Sequence, residues 1–177
     1  MRFVSSYYNN IVKYDYITKQ HNKTTSTPKF SKIVLSVHSK NDSFINLISS
    51  SLALELVSNQ KTKYILKKAS QNLNIKIKLG VPAGCKVTLR NNNMEDLLLN
   101  LFILNEPTYL SSNTFKFNKA QNNHIHFCLN NLSLFGIIEN NYYLFRELRS
   151  IKVSIITNSI DLQNTLFLLK SFKIIRV

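Results

Sequence analysis

The sequence holds 177 residues, with 23 Lys+Arg against 9 Asp+Glu and a formal net charge of +14. That length suits one compact domain, and a hydrophobic content of 44% supplies a core and excludes a disordered basic tail. Nine acids in all argue against a carboxylate-cage metal enzyme or an acidic catalytic network, and the excess cation calls for a polyanion, nucleic acid first and an anionic membrane surface second.

In chain order, Tyr7 to Ile17 carries apolar residues at helical spacing and is expected as a short helix. Lys19 to Lys29 is a polar connector. The β-rich run Ile33-Val34-Leu35-Ser36-Val37 predicts a central strand. Asn41-Asp42-Ser43 offers an N-cap for a helix over 44–57, whose Phe44, Leu47, Ile48, Leu52 and Leu56 are expected to face a sheet. Ser58 to Lys61 breaks that helix, and Lys63-Tyr64-Ile65-Leu66 predicts a second strand. Ile75 to Leu79 alternates apolar residues with lysines, Gly80 to Gly84 reads as a loop, and Cys85 to Arg90 alternates again. A second helix is expected from an N-cap at Asn93, with Glu95 and Asp96 in its first turn, a well-buried Leu97 to Leu104, and an end at Pro107. Residues 108–123 are irregular and polar; Ile125 to Leu129, Leu132 to Ile138 and Ile151 to Thr157 are expected strands. Asn158 to Asp161 has N-cap spacing for a last helix with Leu162, Leu166 and Leu169 turned inward. Strands and helices mixed without a βαβ rhythm predict an α+β fold, a mainly antiparallel sheet with helices packed on one face. One domain over 1–177 is expected, with a basic loop or arm around 67–84.

The 75–90 segment is the most informative. If 75–79 pairs with 85–89, Lys78 faces Lys86 and Lys76 faces Thr88, with Arg90 just beyond. Like charges directly opposite destabilise a strand pair by tenths of a kcal/mol up to about 1, a cost that a row of phosphates would offset. A solvated lysine-rich face is the plain alternative. Gly80 and Gly84 use two of the chain's 3 glycines, so each marks an unusual backbone angle or a close approach, and Pro82 stiffens the tip. No G-x-x-x-x-G-K-[ST] run is present, so this is not a nucleotide P-loop.

Gly80-Val81-Pro82-Ala83-Gly84-Cys85-Lys86-Val87-Thr88-Leu89-Arg90 closely resembles the G-x-P-x-G-x-K-V-T-L-R signature of the ribosomal large-subunit protein five family. Weaker matches follow in order. Tyr7-Tyr8 resembles the family's N-terminal Tyr-Tyr, and Pro28 to Leu35 its P-x-x-x-K-I-x-L strand. Gln60-Lys61 stands where the family has a G-Q-K-P turn, Met94-Glu95 to Pro107 resembles its M-x-E helix, and Arg149 to Thr157 its last strand. The resemblance implies a non-catalytic protein of the central protuberance that binds 5S rRNA and neighbouring large-subunit rRNA. It also implies an approach to P-site tRNA and a bridge to small-subunit protein thirteen. Under it, Lys67, Lys68, Lys76 and Lys78 fall in or near a tRNA-facing loop, making 75–79 a mobile arm instead of a strand. Lys61, Lys63, Gly80, Pro82, Gly84, Lys86, Thr88 and Arg90 complete the expected RNA-binding set. The chain departs from the family after Pro107, where Thr108 to Ser112 replaces a basic R-D-F-R-G stretch, and between Glu139 and Arg149, which looks shortened.

The setting comes from composition. Asn occurs 23 times and Lys outnumbers Arg 18 to 5, the mark of AT-rich codons and of an organelle's own genome; joined to the resemblance, this sets the expectation of a mitochondrial ribosome, with a plastid one as the alternative. The start, Met1 to Tyr8, lacks the apolar run of a signal peptide. The longest apolar stretch falls well short of the roughly 20 residues a membrane span needs. Cys85 and Cys128 form no CxxC pair, and His124-x-His126 lacks two further ligands apart from Cys128, so no metal or cofactor is expected. Tyr7, Tyr8, Tyr142 and Tyr143 suit either base stacking or core packing. Two other classes compete with the ribosomal reading. An RNA-processing or RNA-modifying enzyme would need an acid pair or cofactor loop, and a membrane-surface protein a basic amphipathic helix.

Overall fold

The computed structural model describes residues 3–20, 27–38, 44–67, 80, 82–103, 124–130, 132, 135–148, 150–159 and 161–174. It opens on helix α1 (Phe3–Tyr7), which runs through a π-helical turn (Tyr8–Val12) into α2 (Lys13–Gln20). Then come β1 (Phe30–His38), α3 (Phe44–Ser58), β2 (Lys63–Leu66), β3 (Pro82–Leu89) and α4 (Asn91–Ile103). β4 (His124–Leu129), α5 (Gly136–Asn140), α6 (Tyr142–Phe145), β5 (Ile151–Thr157) and α7 (Leu162–Ser171) complete it. The fold is α+β: a five-stranded antiparallel sheet in the order β2-β3-β1-β5-β4, with helices against it.

Alternation explains the strands. β1 buries Ile33, Leu35 and Val37, β3 buries Cys85, Val87 and Leu89, and β4 buries Ile125, Phe127 and Leu129, each set at a spacing of two. β5 buries Ile151, Val153, Ser154, Ile155 and Thr157 and so is enclosed on both faces. Leu132 to Ile138, expected as a strand, is a correction. Leu132, Phe135 and Ile138 are the buried residues and lie three apart, the spacing of a helical turn, and 136–140 is helical.

Chain contacts group the residues into two units, Met1–Ile33 with Leu89–Cys128 and Val153–Val177, and Val34–Thr88 with Leu129–Lys152. In the second, α3 packs on β3, and α5 and α6 pack on α3. The face of α3 that is buried is not the expected one. Leu47, Ser50, Ser51, Ala53, Leu54 and Ser58 are buried, whereas Phe44 (71% exposed), Ile48, Leu52 and Leu56 are turned out. Small residues let the helix approach the sheet closely. Ser50 and Ser51 are cheap to bury because each satisfies its own hydroxyl within the helix. Ser50 Oγ donates to the Leu47 carbonyl at 2.8 Å and Ser51 Oγ to that of Ile48 at 2.9 Å. The helix stops where expected, with Asn59 in the left-handed region (φ 52) and its N–H donating to the Glu55 carbonyl at 2.8 Å. The N-cap expected at Asn41 to Ser43 lies outside the described residues.

In the first unit an aromatic seam joins the N-terminal helix to α7. Tyr7 donates to the Ser171 carbonyl at 3.1 Å and meets the Phe172 ring edge-on at 5.4 Å, and Phe30 meets the same ring at 5.2 Å. The inward stripe of α7 is Thr165, Leu168 and Leu169, with Leu162 left 37% exposed, so the expected Leu162–Leu166–Leu169 stripe is rotated. Thr165 is buried because it joins a hydroxyl cluster, 2.6 Å from Ser159 Oγ, itself 2.7 Å from Thr157 Oγ1. Helix α4 starts at Asn91, in the left-handed region at φ 48, so no acid stands in its first turn and the expected N-cap at Asn93 falls inside the helix. Leu97, Leu98 and Leu101 are buried as expected; Pro107 and 108–123 lie outside the described residues.

Gly84 belongs to β3 instead of to a loop, and it is buried. A Cβ there would collide with the Val37 carbonyl oxygen of β1 and stand 3.1 Å from His38 Cα. Gly80 is different, with φ +79 and open space around it. Replacement Gly84→Ala is therefore expected to force β1 and β3 apart and destabilise the chain by about 1–3 kcal/mol, read as a lower urea midpoint. Gly136→Ala, where a Cβ meets nothing within 4 Å, serves as the neutral control.

Candidate nucleic-acid interface

The basic cluster is built on the antiparallel β2–β3 pair. Lys63 stands opposite Lys86, Tyr64 opposite Cys85 and Ile65 opposite Gly84, and a register shift then brings Leu66 opposite Pro82. Residues directly opposite share a face of the sheet. Cys85 is buried with its Sγ 3.2 Å from Ser50 Oγ of α3, so its face is the one that α3 packs on, while Tyr64 at the edge stays half exposed. Lys63, Lys86 and, two residues on, Thr88 occupy the other face, and all three are exposed. Together with Gln60, Lys61 and Val87 they line a basin of about 360 Å³.

The approach to β2 is pinned from below. Glu55 Oε1 accepts from the Thr62 N–H at 3.0 Å and from Thr62 Oγ1 at 3.1 Å. That clamp fixes the chain between the end of α3 and Lys63, and engages the nearby carboxylate with a threonine instead of a lysine. Among the described residues no carboxylate pairs with Lys61, Lys63 or Lys86. The basin is therefore a patch of uncompensated cation, suited to an anion with several charged oxygens.

The like-charge facing inferred from the sequence is present, but between different partners. Lys86 faces Lys63 of β2 instead of Lys78, because β3 already has β2 on one side and β1 on the other. Lys68, Lys76 and Lys78, and with them the expected 75–79 strand, lie outside the described residues. Lys67 follows β2, Gly80 is an exposed turn residue, Pro82 opens β3, and Arg90 is exposed immediately after it. Lys61, Lys63, Lys86 and Thr88 are thus brought together, while buried Gly84 serves the sheet. Gln60 also belongs to the basin, and its only signal in the sequence is its place beside Lys61.

No family model matches the chain. Large ribosomal subunit protein uL5m of Reclinomonas americana is 28% identical to it over 179 residues, an alignment covering 98% of this chain and 97% of that protein. The whole chain is therefore collinear with that relative, in agreement with the ordered matches around Gly80 to Arg90. The chain is thus similar along nearly its whole length to a uL5m protein.

Other reactive groups of the chain have structural surroundings. His126 Nδ1 lies 2.7 Å from Ser154 Oγ, and the His124 and His126 rings stack at 6.3 Å. Among the described residues no three His, Cys, Asp or Glu side chains come together as metal ligands. Burial pushes the Cys85 thiol above its ordinary value, the Glu55 charge adds to this, and the Ser50 hydrogen bond works the other way. The reactive species is the thiolate, so Cys85 is expected to resist iodoacetamide at pH 8 in the folded chain and to react only on unfolding. Half-buried Cys128 is expected to react first; mass spectrometry of the alkylated peptides checks the order.

Proposed function

We propose that this chain is a uL5 protein, a structural constituent of the large subunit of an organellar ribosome, a mitochondrial one, and holds rRNA against the β2–β3 face. Its role is structural and ribosomal, with rRNA and ribosomal proteins as partners. The single observation that carries the RNA-binding face is the Lys63–Lys86 facing pair over the Lys61–Thr88 basin. Two exposed ammonium groups held side by side on a rigid ladder repel each other unless an anion lies between them. A phosphate backbone supplies such anions at regular intervals and gains free energy by releasing its counterions.

The finer assignments follow the family. The rRNA is that of the central protuberance, including 5S rRNA where the organelle has one. The arm around 67–84, with Lys67, Lys68, Lys76 and Lys78, reaches toward P-site tRNA, and small-subunit protein thirteen is met across the intersubunit bridge. Support for these assignments is the collinearity with uL5m and the Gly80 to Arg90 motif. The relative's name supports a mitochondrial ribosome over a plastid one, and the AT-rich composition fits an organelle's own genome.

The test is a salt titration of the purified chain on large-subunit rRNA. The pair Lys63→Gln/Lys86→Gln is expected to weaken binding across all sequences and to lower the log–log salt slope by about 2, one for each phosphate that is no longer neutralised. Both positions are exposed, so the fold is expected to survive, as circular dichroism would show. An unchanged slope with an intact fold would remove the β2–β3 face from the interface.

A further inference from the structure

A separate cleft of about 180 Å³ lies in the first unit, among α1, the π-helical turn, the start of β1, α4 and Phe172. Among the described residues two buried side-chain oxygens find no hydrogen-bond partner, Tyr8 Oη and Glu95 Oε2, and both residues line this cleft. Folded proteins satisfy nearly all of their buried polar atoms. Two orphans on one cleft therefore point to a bound group that completes them. A single ordered water needs only about 10–15 Å³, whereas a cavity of about 150 Å³ accepts a benzene ring. The cleft is ring-sized.

Its chemistry narrows the ring. Phe30 and Phe172 supply flat apolar walls. Glu95, when ionised, only accepts hydrogen bonds, while the Tyr8 hydroxyl both donates and accepts. A complementary ligand is a planar heteroaromatic ring with an N–H at its edge and a second polar atom beside it. The π-helical turn begins at Tyr8, whose carbonyl accepts from the Lys13 N–H five residues on. Such turns re-aim side chains and occur often at functional positions. Exposed Lys29 places its Nζ 6.0 Å from the centre of the Tyr8 ring, where a cation can meet a phosphate attached to the ring's sugar.

We propose that this cleft takes one unstacked nucleobase of single-stranded rRNA, Glu95 accepting from a base N–H and Tyr8 bonding the neighbouring edge atom. Single-stranded segments are read in this way, by splayed bases seated against aromatic side chains. The assignment rests on the rRNA-binding reading, but it concerns base edges where the β2–β3 face concerns phosphates.

The experiment compares a short single-stranded RNA bearing all four bases with an abasic ribose–phosphate strand of the same length and charge. The purified full chain, Tyr8→Phe and Glu95→Gln are titrated with each over a range of salt. The native chain is expected to bind the base-bearing strand about tenfold more tightly, the scale of one good base-edge pairing. Both variants are expected to lose that margin and keep the salt slope. Tyr8→Phe is also expected to raise the thermal midpoint of the free chain, because it deletes an unsatisfied buried hydroxyl. A margin that survives in both variants overturns the proposal. So does a lower midpoint for Tyr8→Phe with unchanged RNA affinity, the signature of an ordered water. A native chain that binds neither strand would sink the rRNA-binding reading itself, a failure distinct from loss of the base margin alone.

Discussion

The period-two burial of β3 is the constraint on which the basic face depends. Cys85 and Leu89 are wholly enclosed and Val87 nearly so, while Lys86 and Thr88 between them are exposed. A slip of one residue would drive Lys86 into the core and expose Cys85 and Val87, so burial fixes the register. The Gly84 approach to Val37 and His38 fixes it again from the β1 side, since no other residue offers a missing Cβ at that contact. With β3 locked, antiparallel pairing leaves Lys63 only one partner on its face, and that partner is Lys86. The repulsive pair is thus a consequence of a register chosen by the core.

That consequence has a second use. β2 is the edge of the sheet and only four residues long. A short edge strand flanked by lysines discourages pairing with another sheet. Lys61 and Lys63 serve that purpose in the free chain whatever else they bind. The charge of the region is therefore compatible with both solubility and RNA contact, and the two roles differ in one respect. Guarding an edge needs lysines only along β2, whereas Lys86 lies on an interior strand where no edge needs guarding. Among the described residues nothing in the isolated fold neutralises Lys86.

How much of this the amino-acid sequence discloses depends on whether a signal is local. β1, β2 and β5 are legible because β-branched runs and alternation are read from neighbours alone. β2 runs over the four expected residues. The buried faces of α3 and α7 are not legible, because a pattern of apolar residues points the wrong stripe inward when a helix buries serine and threonine instead. Ser50, Ser51 and Thr165 are buried at little cost once their hydroxyls are satisfied by the carbonyls and hydroxyls around them, a fact of tertiary packing. α3 consequently keeps Phe44, Ile45 and Leu52 on its outer side. For the candidate site, the alternation places Lys86 and Thr88 on the exposed face of a strand, with Arg90 exposed just past its end. Partner identity is not local, so Lys63 rather than Lys78 emerges only from the sheet order. Gly84 does mark a close approach, but the backbone it meets is the protein's own.

The basic face and the Tyr8–Glu95 cleft bear on the free chain in the same direction. Uncompensated lysines raise its electrostatic self-energy, and buried unpartnered oxygens carry a desolvation cost that nothing in the fold returns. Each cost falls on the folded, unbound state, and an RNA that neutralises the lysines and completes the oxygens relieves both. By linkage, a ligand bound only by the folded form adds stability that grows with its free concentration relative to its dissociation constant. The core sets the register of β3, and that register leaves Lys63 and Lys86 facing each other with no carboxylate beside them among the described residues. The two terms separate by their response to salt, since counterion release scales with phosphate contacts while a base held in an apolar cleft is largely insensitive to it. If both proposals hold, affinity that survives at high salt reports the cleft, and affinity that disappears on raising salt reports the β2–β3 face.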